Sequence, residues 1–393
     1  MSDDGGDASA SVRLPLDLSL VSAHLNRKFI TATQFSAGQS NPTYLLEDDA
    51  KNKVVLRRQP PGDLLPTAHD IVREHRVLSA LANSSVPVPR ILHLCTGENI
   101  LGVDWYVMTF VNGCAPSDER LPGFSATQRA TAWHSAIKTL AALHSVDHVA
   151  IGLQNHGKPG GGYVKRQLNA WSRAFGMVEA WLQEQHEEQS EGEQSDGNTV
   201  FDDDGRERLK RVLDAGDGMA KLEAGLRALL TTHAGSEPAD EPTCIVHGDY
   251  RLGNLLLDVA TGEVKAVLDW ELSTLGHPLC DLAYFLSAHT APAELGGFAG
   301  RPLPPGTPSE AEARKLYVEL RGGALKLADA QFAFFCAHAW HRRAAILHGV
   351  FARALQGNAS APDALKVGAN GFCECVRLGL EALARAAGSR SRL

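Results

Sequence analysis

Residues 247–271 read HGDYRLGNLLLDVATGEVKAVLDWE, and three of their polar side chains are spaced for phosphate chemistry. Asn254 follows Asp249 by five positions, and Asp269 comes fifteen further on. Between the last two lie apolar runs at 255–257 and 264–268, parted by the turn-forming Ala260-Thr261-Gly262-Glu263. Two such runs predict a β-hairpin. Paired strands lie about 4.8 Å apart, so a hairpin returns Asn254 and Asp269 to the same open end. An amide oxygen beside a carboxylate offers the hard donors that suit Mg2+ carrying phosphates. Asp249, upstream on the same loop, is then left to meet a substrate hydroxyl as its base. A D-x-x-x-x-N run followed by a metal-binding Asp is the arrangement that phosphoryl transfer uses. Each motif is weak in isolation, because Asp and Asn are ordinary loop residues. Their joint spacing about one hairpin carries the reading.

Further parts of such a site can be sought upstream. Val54-Val55-Leu56-Arg57 has the form of a strand that points a cation at phosphate, with Arg57 in place of lysine. Its planar fork binds phosphate oxygens and keeps its charge. Glu74, seventeen residues on and on a predicted helix, is placed to pair with Arg57. In the loop Ser36–Tyr44, Ser40 and Asn41 are candidates to cradle phosphate with backbone N–H groups. The loop has one glycine and fails the G-x-G-x-x-G pattern. Met108, Thr109 and Val111 fall where two lobes would join, and their backbone groups could read an adenine edge. Arg166 (with Tyr163), Trp270, Glu271, Trp340 and Arg343 (with Arg342) are candidates for the acceptor side. For Trp340, Arg342, Arg343, Tyr163 and Arg166, ordinary helix packing explains the pattern equally well. His247 is read as shaping the catalytic loop, and Asp281 as a helix cap or a support for that loop.

The elements that must position these residues divide into two groups. Before residue 113 the pattern is strand-rich: 29–35, 43–46, 53–57, 91–94 and 105–111, with one amphipathic helix at 69–81. From residue 126 helices dominate, at 126–144, 164–185, 206–213, 219–232, 279–288, 310–319, 329–355 and 361–387, interrupted by the hairpin. The expectation is an α+β, two-lobed fold: a tail at 1–12, a small β-rich N-lobe at 13–112 that binds nucleotide, and a larger helical C-lobe at 113–388. Residues 184–205 hold nine acidic side chains and no Lys or Arg, which reads as a disordered surface insertion.

Composition narrows the function classes. With 44% hydrophobic and 21% charged residues the 393-residue chain has material for real cores. Its net charge of −8 argues against a nucleic-acid partner. No apolar run approaches the eighteen residues of a membrane span, and the N-terminus has no secretory pattern. The seven cysteines are odd in number and scattered without a zinc pattern, so reduced thiols in an intracellular compartment are expected. The chain ends in Ser391-Arg392-Leu393 on a tail at 389–393, similar to the S-K-L peroxisomal address. In a eukaryote this points to a peroxisome and its import receptor; otherwise the expectation is cytoplasmic.

These residues resemble the aminoglycoside phosphotransferase and choline kinase superfamily, which has a protein-kinase-like fold. The likeness runs from about Phe35 to Gly357, through AGQSNPTYLL, VVLRRQPPGDLLPTAHDIVREHRVL, YVMTFVNG, HGDYRLGNLLLD, VLDWELSTLGHPLCDLAY and RRAAILHGV. The PPGDLLPTAH segment and LDWELSTLG are similar, more narrowly, to the kinase-like domain fused to acyl-CoA dehydrogenase. The resemblance implies ATP and Mg2+ as cofactors, Asp249 as base, Asn254 and Asp269 as metal ligands, and Arg57 on phosphate with Glu74 its partner. It also implies a small-molecule acceptor with a hydroxyl, first a hydroxyacyl-CoA, then an aminoglycoside, choline or an amino sugar. Relatives usually carry Asp where this chain has His277 and Glu where it has Thr109. The rival readings are a nucleotide-binding pseudokinase acting as a scaffold, and a metal-dependent phosphate-ester hydrolase, for which Glu271 alone supplies too few carboxylates.

Overall fold

A computed structural model describes residues 14–35, 41–61, 70–97, 100–158, 161–190, 203–233, 242–323, 327–357 and 363–388. Ser40, the terminal tripeptide, the tail at 1–12 and the middle of the acidic stretch lie outside these residues.

The N-terminal part is a five-stranded sheet in the order β1-β2-β3-β5-β4. Its strands are β1 (Phe29–Gln34), β2 (Thr43–Asp48), β3 (Lys53–Arg58), β4 (Ile91–Cys95) and β5 (Trp105–Thr109), all paired antiparallel. A helix not foreseen from the pattern, α1 (Leu18–His24), covers one end, and its cap Asp17 accepts from Ser19 N–H and Leu20 N–H. Asp before an apolar-periodic stretch is the signal that was available. Between β3 and β4 lies α2 (Ile71–Leu81), capped by Asp70, which accepts from Arg73 N–H. Its buried face carries Ile71, Glu74, Val77, Leu78 and Leu81. A carboxylate on that apolar stripe needs a cation.

The helical part consists of α3 (Ala126–Ser145), α4 (Tyr163–Ser190), α5 (Asp203–His233), α6 (Pro278–Leu286), α7 (Glu310–Leu320), α8 (Asp329–Leu355) and α9 (Ala364–Ala386). Two short antiparallel pairs are set among them: β6 (Cys244–Val246) with β9 (Thr274–Gly276), and β7 (Leu255–Leu257) with β8 (Val264–Val267). A small sheet lobe and a larger helical lobe therefore form an α+β, kinase-like architecture, as the pattern predicted.

Two expectations fail here. The helices expected at 206–213 and 219–232 are one helix, α5. The Asp214-Ala-Gly-Asp-Gly stretch looked like a break, yet its glycines are contact points. A Cβ at Gly216 would lie 2.6 Å from the Glu179 carboxylate on α4, and one at Gly218 would lie 2.7 Å from Val376 on α9. Close helix approach selects glycine there without ending the helix. The acidic stretch is also not loop throughout. Residues 184–190 continue α4 and 203–205 begin α5, where Asp204 pairs with Arg208 one turn on.

Candidate functional site

Strands β6 and β9 hold the catalytic loop from both ends. Beyond β6, Asp281 on α6 accepts the His247 N–H at 2.6 Å and the Gly248 N–H at 3.0 Å. Burial works to raise the Asp281 pKa, but His144 and these N–H groups outweigh it and hold the carboxylate ionised. His247 donates from Nε2 to Leu268 O at 2.8 Å, and its Nδ1 accepts from Asp249 N at 3.2 Å. Both ring nitrogens are occupied in shaping the loop, the role that its position in the HGD run suggested.

A 3-10 turn (Leu252–Asn254) leads into β7. The β7–β8 register sets Leu255 opposite Val267, and Leu268 N–H donates to Asn254 O at 2.8 Å. The hairpin therefore fastens the residue before Asp269 to Asn254. At Asp269 the backbone turns left-handed, φ 64°, an uncommon conformation for a non-glycine residue. The chain's other hairpin end is sharper than expected: Asp258 Oδ1 accepts from Ala260 N and Thr261 N, and Gly262 lies so close to Gln128 O that no side chain fits.

At the open end of the hairpin Asn254 is bonded to Asp249 and, through Leu268 N–H, to the residue preceding Asp269. Asn254 Nδ2 donates to both Asp249 O and Asp249 Oδ2, each at 2.8 Å. This spends the amide nitrogen on Asp249 and leaves the amide oxygen as the end able to ligate a cation. Asp269 keeps its side chain 31% exposed, facing the cleft, with Oδ1 2.7 Å from Arg57 Nη2. An oxygen-only pair on a short, braced ribbon fits Mg2+.

Arg57 points from β3 into the same space. Its Nε lies 3.0 Å from Glu74 Oε2, a close ion pair with poor hydrogen-bond alignment, and Glu271 Oε2 is 3.9 Å from Nη2. Burial opposes the Arg57 charge, but Glu74, Tyr106 and Asp269 raise its pKa, so it stays a cation. Burial pushes the Glu74 carboxyl up to about 6, with Arg57 opposing. Helix α2 is latched in place by Arg73, which donates to Ser273 O at 2.6 Å and His156 O at 2.9 Å. This latch keeps Glu74 against Arg57.

Other candidates part company here. Asn41 is buried, with both amide atoms unpartnered among the described residues. Met108 packs in the core, and Thr109 is occupied on both backbone and hydroxyl by Arg90. That leaves Val111, beyond the strand, as the half-exposed hinge position. Trp270 is fully buried and donates to Val267 O, with its N–H on Glu74, so it supports α2 and does not face an acceptor. Trp340 is 1% exposed in the helical core, against Gly379. Arg343 stacks over Trp340 and donates to Ser287 Oγ and Leu295 O. Arg166 folds back onto the carbonyls of Gly161 and Lys158. Glu271 faces Arg57 on the nucleotide side. His277 Nδ1 accepts from Leu279 N–H as the cap of α6.

Near Asp249 stand Arg251 and Tyr284, which spacing did not single out, and Arg342, which it did. Arg251 is 51% exposed, with Nε 3.7 Å from Asp249 Oδ2. Tyr284, on α6, acts on the Asp249 carboxylate to lower its pKa. Burial would raise the Asp249 pKa; Tyr284, Arg251, Arg342 and His247 together lower it. Glu119 lies close to Arg251, and burial pushes its carboxyl up to about 7.

A small sheet lobe, a helical lobe and this loop define a kinase-like phosphotransferase. Residues 31–317 match the family model described as the phosphotransferase enzyme family, and the chain belongs to that family. A solved candidate aminoglycoside phosphotransferase from Ralstonia eutropha has a TM-score of 0.73 at 32% identity, covering 94% of this chain and 99% of that one. Choline kinase from Cryptosporidium parvum, at 14% identity over 91% of each chain and a TM-score of 0.54, shares the fold. Acyl-CoA dehydrogenase family member 10 of Mus musculus is 35% identical over 85% of this chain and 28% of its own length. Family member 11 of Rattus norvegicus is 35% identical over 86% of this chain and 38% of its own length. The chain thus spans about a third of these curated relatives.

None of the seven cysteines is in a disulfide among the described residues. No described helix is long and apolar enough to cross a membrane.

Proposed function

We propose that the protein is an ATP- and Mg2+-dependent kinase that phosphorylates a hydroxyl on an anionic small molecule, a hydroxyacyl-CoA. Asn254 and Asp269 would hold the cation, which neutralises phosphate charge when bound. Arg57 holds the nucleotide phosphates, and Asn41 and the backbone near Val111 add contacts. Asp249 accepts a hydrogen bond from the acceptor hydroxyl and takes its proton as phosphorus–oxygen bond formation advances. A strongly basic carboxylate is not required, because such transfers depend mainly on alignment and charge stabilisation.

One observation carries the choice of acceptor. The base is flanked by cations: half-exposed Arg251 at 3.7 Å and Arg342 behind it. Choline, aminoglycosides and amino sugars are themselves cations, and this side of the cleft repels them. A CoA ester brings phosphates that it attracts. The acyl-CoA dehydrogenase relatives agree with that class. Against the scaffold reading stand the three polar residues gathered on one braced loop. Residues 391–393 would route such a kinase to peroxisomes, which imaging of a fluorescent fusion with and without them tests.

The decisive experiment incubates the protein with Mg-ATP and a panel of hydroxyacyl-CoAs, aminoglycosides, amino sugars and choline, followed by mass spectrometry. One added phosphate on a hydroxyacyl-CoA, lost in Asp249→Asn while Mg-ATP still binds, is expected. Preferential phosphorylation of a cationic acceptor overturns the acceptor class. Nucleotide binding without transfer to any compound favours the scaffold.

A further inference from the structure

Resting on the transfer proposed above, we infer that Arg342, clamped between Trp171 and Tyr284, is a recognition post for the acceptor. Its open guanidinium edge binds an acyl oxygen a few bonds from the hydroxyl that Asp249 meets.

Helix α8 packs against both α4 and α6, and each neighbour lays an aromatic ring on Arg342. The guanidinium carbon stands 5.5 Å from the Trp171 ring centroid and 5.2 Å from that of Tyr284. All three side chains are half-buried. The clamp lies one peptide from Asp249, because Arg342 Nη1 donates to Gly248 O. Trp171 Nε1 donates to Gln167 Oε1 one turn back, at 3.1 Å, which leaves the indole faces for stacking. Aromatic faces about a cation form the cage that captures quaternary ammonium ligands. Here the chain's own guanidinium fills the cage, so an ammonium acceptor finds it occupied.

The filled cage offers a different contact. A guanidinium carries several N–H donors in a fixed fork. Nη1 bonds Gly248 O, and Nε is buried with no hydrogen-bond partner among the described residues. No described residue takes the Nη2 donors, so they remain for an oxygen brought by a ligand. Stacking holds the plane of the fork and the Gly248 bond sets its rotation, so little freedom is lost on binding. Consecutive Cα atoms are about 3.8 Å apart. A hydroxyl at Asp249 and an oxygen at Arg342 therefore belong to one short stretch of the acceptor. A hydroxyacyl thioester carries that pair, an alcohol with a carbonyl oxygen along the chain. Choline lacks the second oxygen.

The test varies both partners. A hydroxyacyl-CoA and its thioether counterpart, with CH2 in place of the carbonyl, serve as acceptors for the wild type and for Arg342→Met. The wild type should prefer the thioester by about ten- to hundredfold in kcat/KM, the scale of one hydrogen bond to a charged group. Arg342→Met keeps an unbranched stem without the donors; it should lower turnover of the thioester and erase the preference, with KM for ATP unchanged. A residue that only braces the Gly248 peptide would cost both acceptors equally and leave the preference standing, which overturns the inference. So does a wild type that phosphorylates both compounds alike. If Arg342→Met does not fold, Trp171→Leu reads the same quantity: opening one face of the clamp should shrink the preference, and Trp171→Phe should restore it. An undiminished preference in Trp171→Leu counts against the clamp. Transfer to no acyl-CoA at all removes the acceptor class and the post with it, whereas transfer that ignores the carbonyl removes the post alone.

Discussion

The two sides of the cleft carry opposite arrangements of charge. On the nucleotide side one guanidinium, Arg57, lies among three carboxylates, Glu74, Asp269 and Glu271. On the opposite side Asp249 stands near two guanidiniums, Arg251 and Arg342, and the buried Glu119 carboxyl lies close to Arg251. The first set has an excess of negative charge that a divalent cation relieves. In the second, two guanidiniums face Asp249 and a Glu119 carboxyl that burial pushes up to about 7. The proposed function assigns the first set to metal-bound phosphate and the second to the molecule that receives it.

The largest effect that would break this contrast is at Asp269. Asp269→Ala removes a cation donor and a partner of Arg57, and Mg-dependent ATP binding should disappear in calorimetry. Wild-type affinity in that variant would refute the ligand assignment. Next comes Arg57. Arg57→Met leaves Glu74 buried without its cation, and a chemical-denaturation curve should show a loss of about 3 kcal/mol or more. Adding Glu74→Gln should recover most of the stability but not the nucleotide binding, which separates the fold's need for the pair from the site's. On the other side, Arg251→Glu should lower kcat/KM for a CoA ester about tenfold through lost attraction, with KM for ATP unchanged. Added salt should narrow the gap between the two proteins.

The smallest effect at neutral pH lies beneath both sides, in the helical core. Burial lowers the pKa of His277 to about 3, of His338 to about 3 and of His341 to about 4. These rings stay neutral in the fold but protonate near pH 6.5 when unfolded. Their contribution is therefore intact above pH 6.5 and falls as pH drops toward 4, because the unfolded chain binds more protons. Each contributes about 1.4 kcal/mol per pH unit in that window. Melting temperature measured from pH 7 to 4 should decline, and His341→Gln should flatten the decline by one proton's worth.

The nucleotide side was readable from the sequence because its parts are local. A hairpin of five turn and strand signals brings Asn254 to Asp269 within sixteen positions, and the alternation of β3 sets Arg57 inward. The acceptor side was not, since its residues meet only when α6, α8 and the loop pack. Tyr284 is an ordinary helix residue by pattern, and Trp340, Arg342 and Arg343 looked equally available until packing buried Trp340 against Gly379 and turned Arg343 onto Ser287 and Leu295.

The amino-acid order by itself determined the lobes, the loop chemistry and the cation-and-carboxylate pair at positions 57 and 74, through periodicity and turn preference over short separations. Packing alone decided that α5 runs unbroken through its glycines, that β6 pairs with β9, and which arginines stand by the base. Those outcomes depend on surfaces from distant segments fitting together, and local propensity carries no information about that fit.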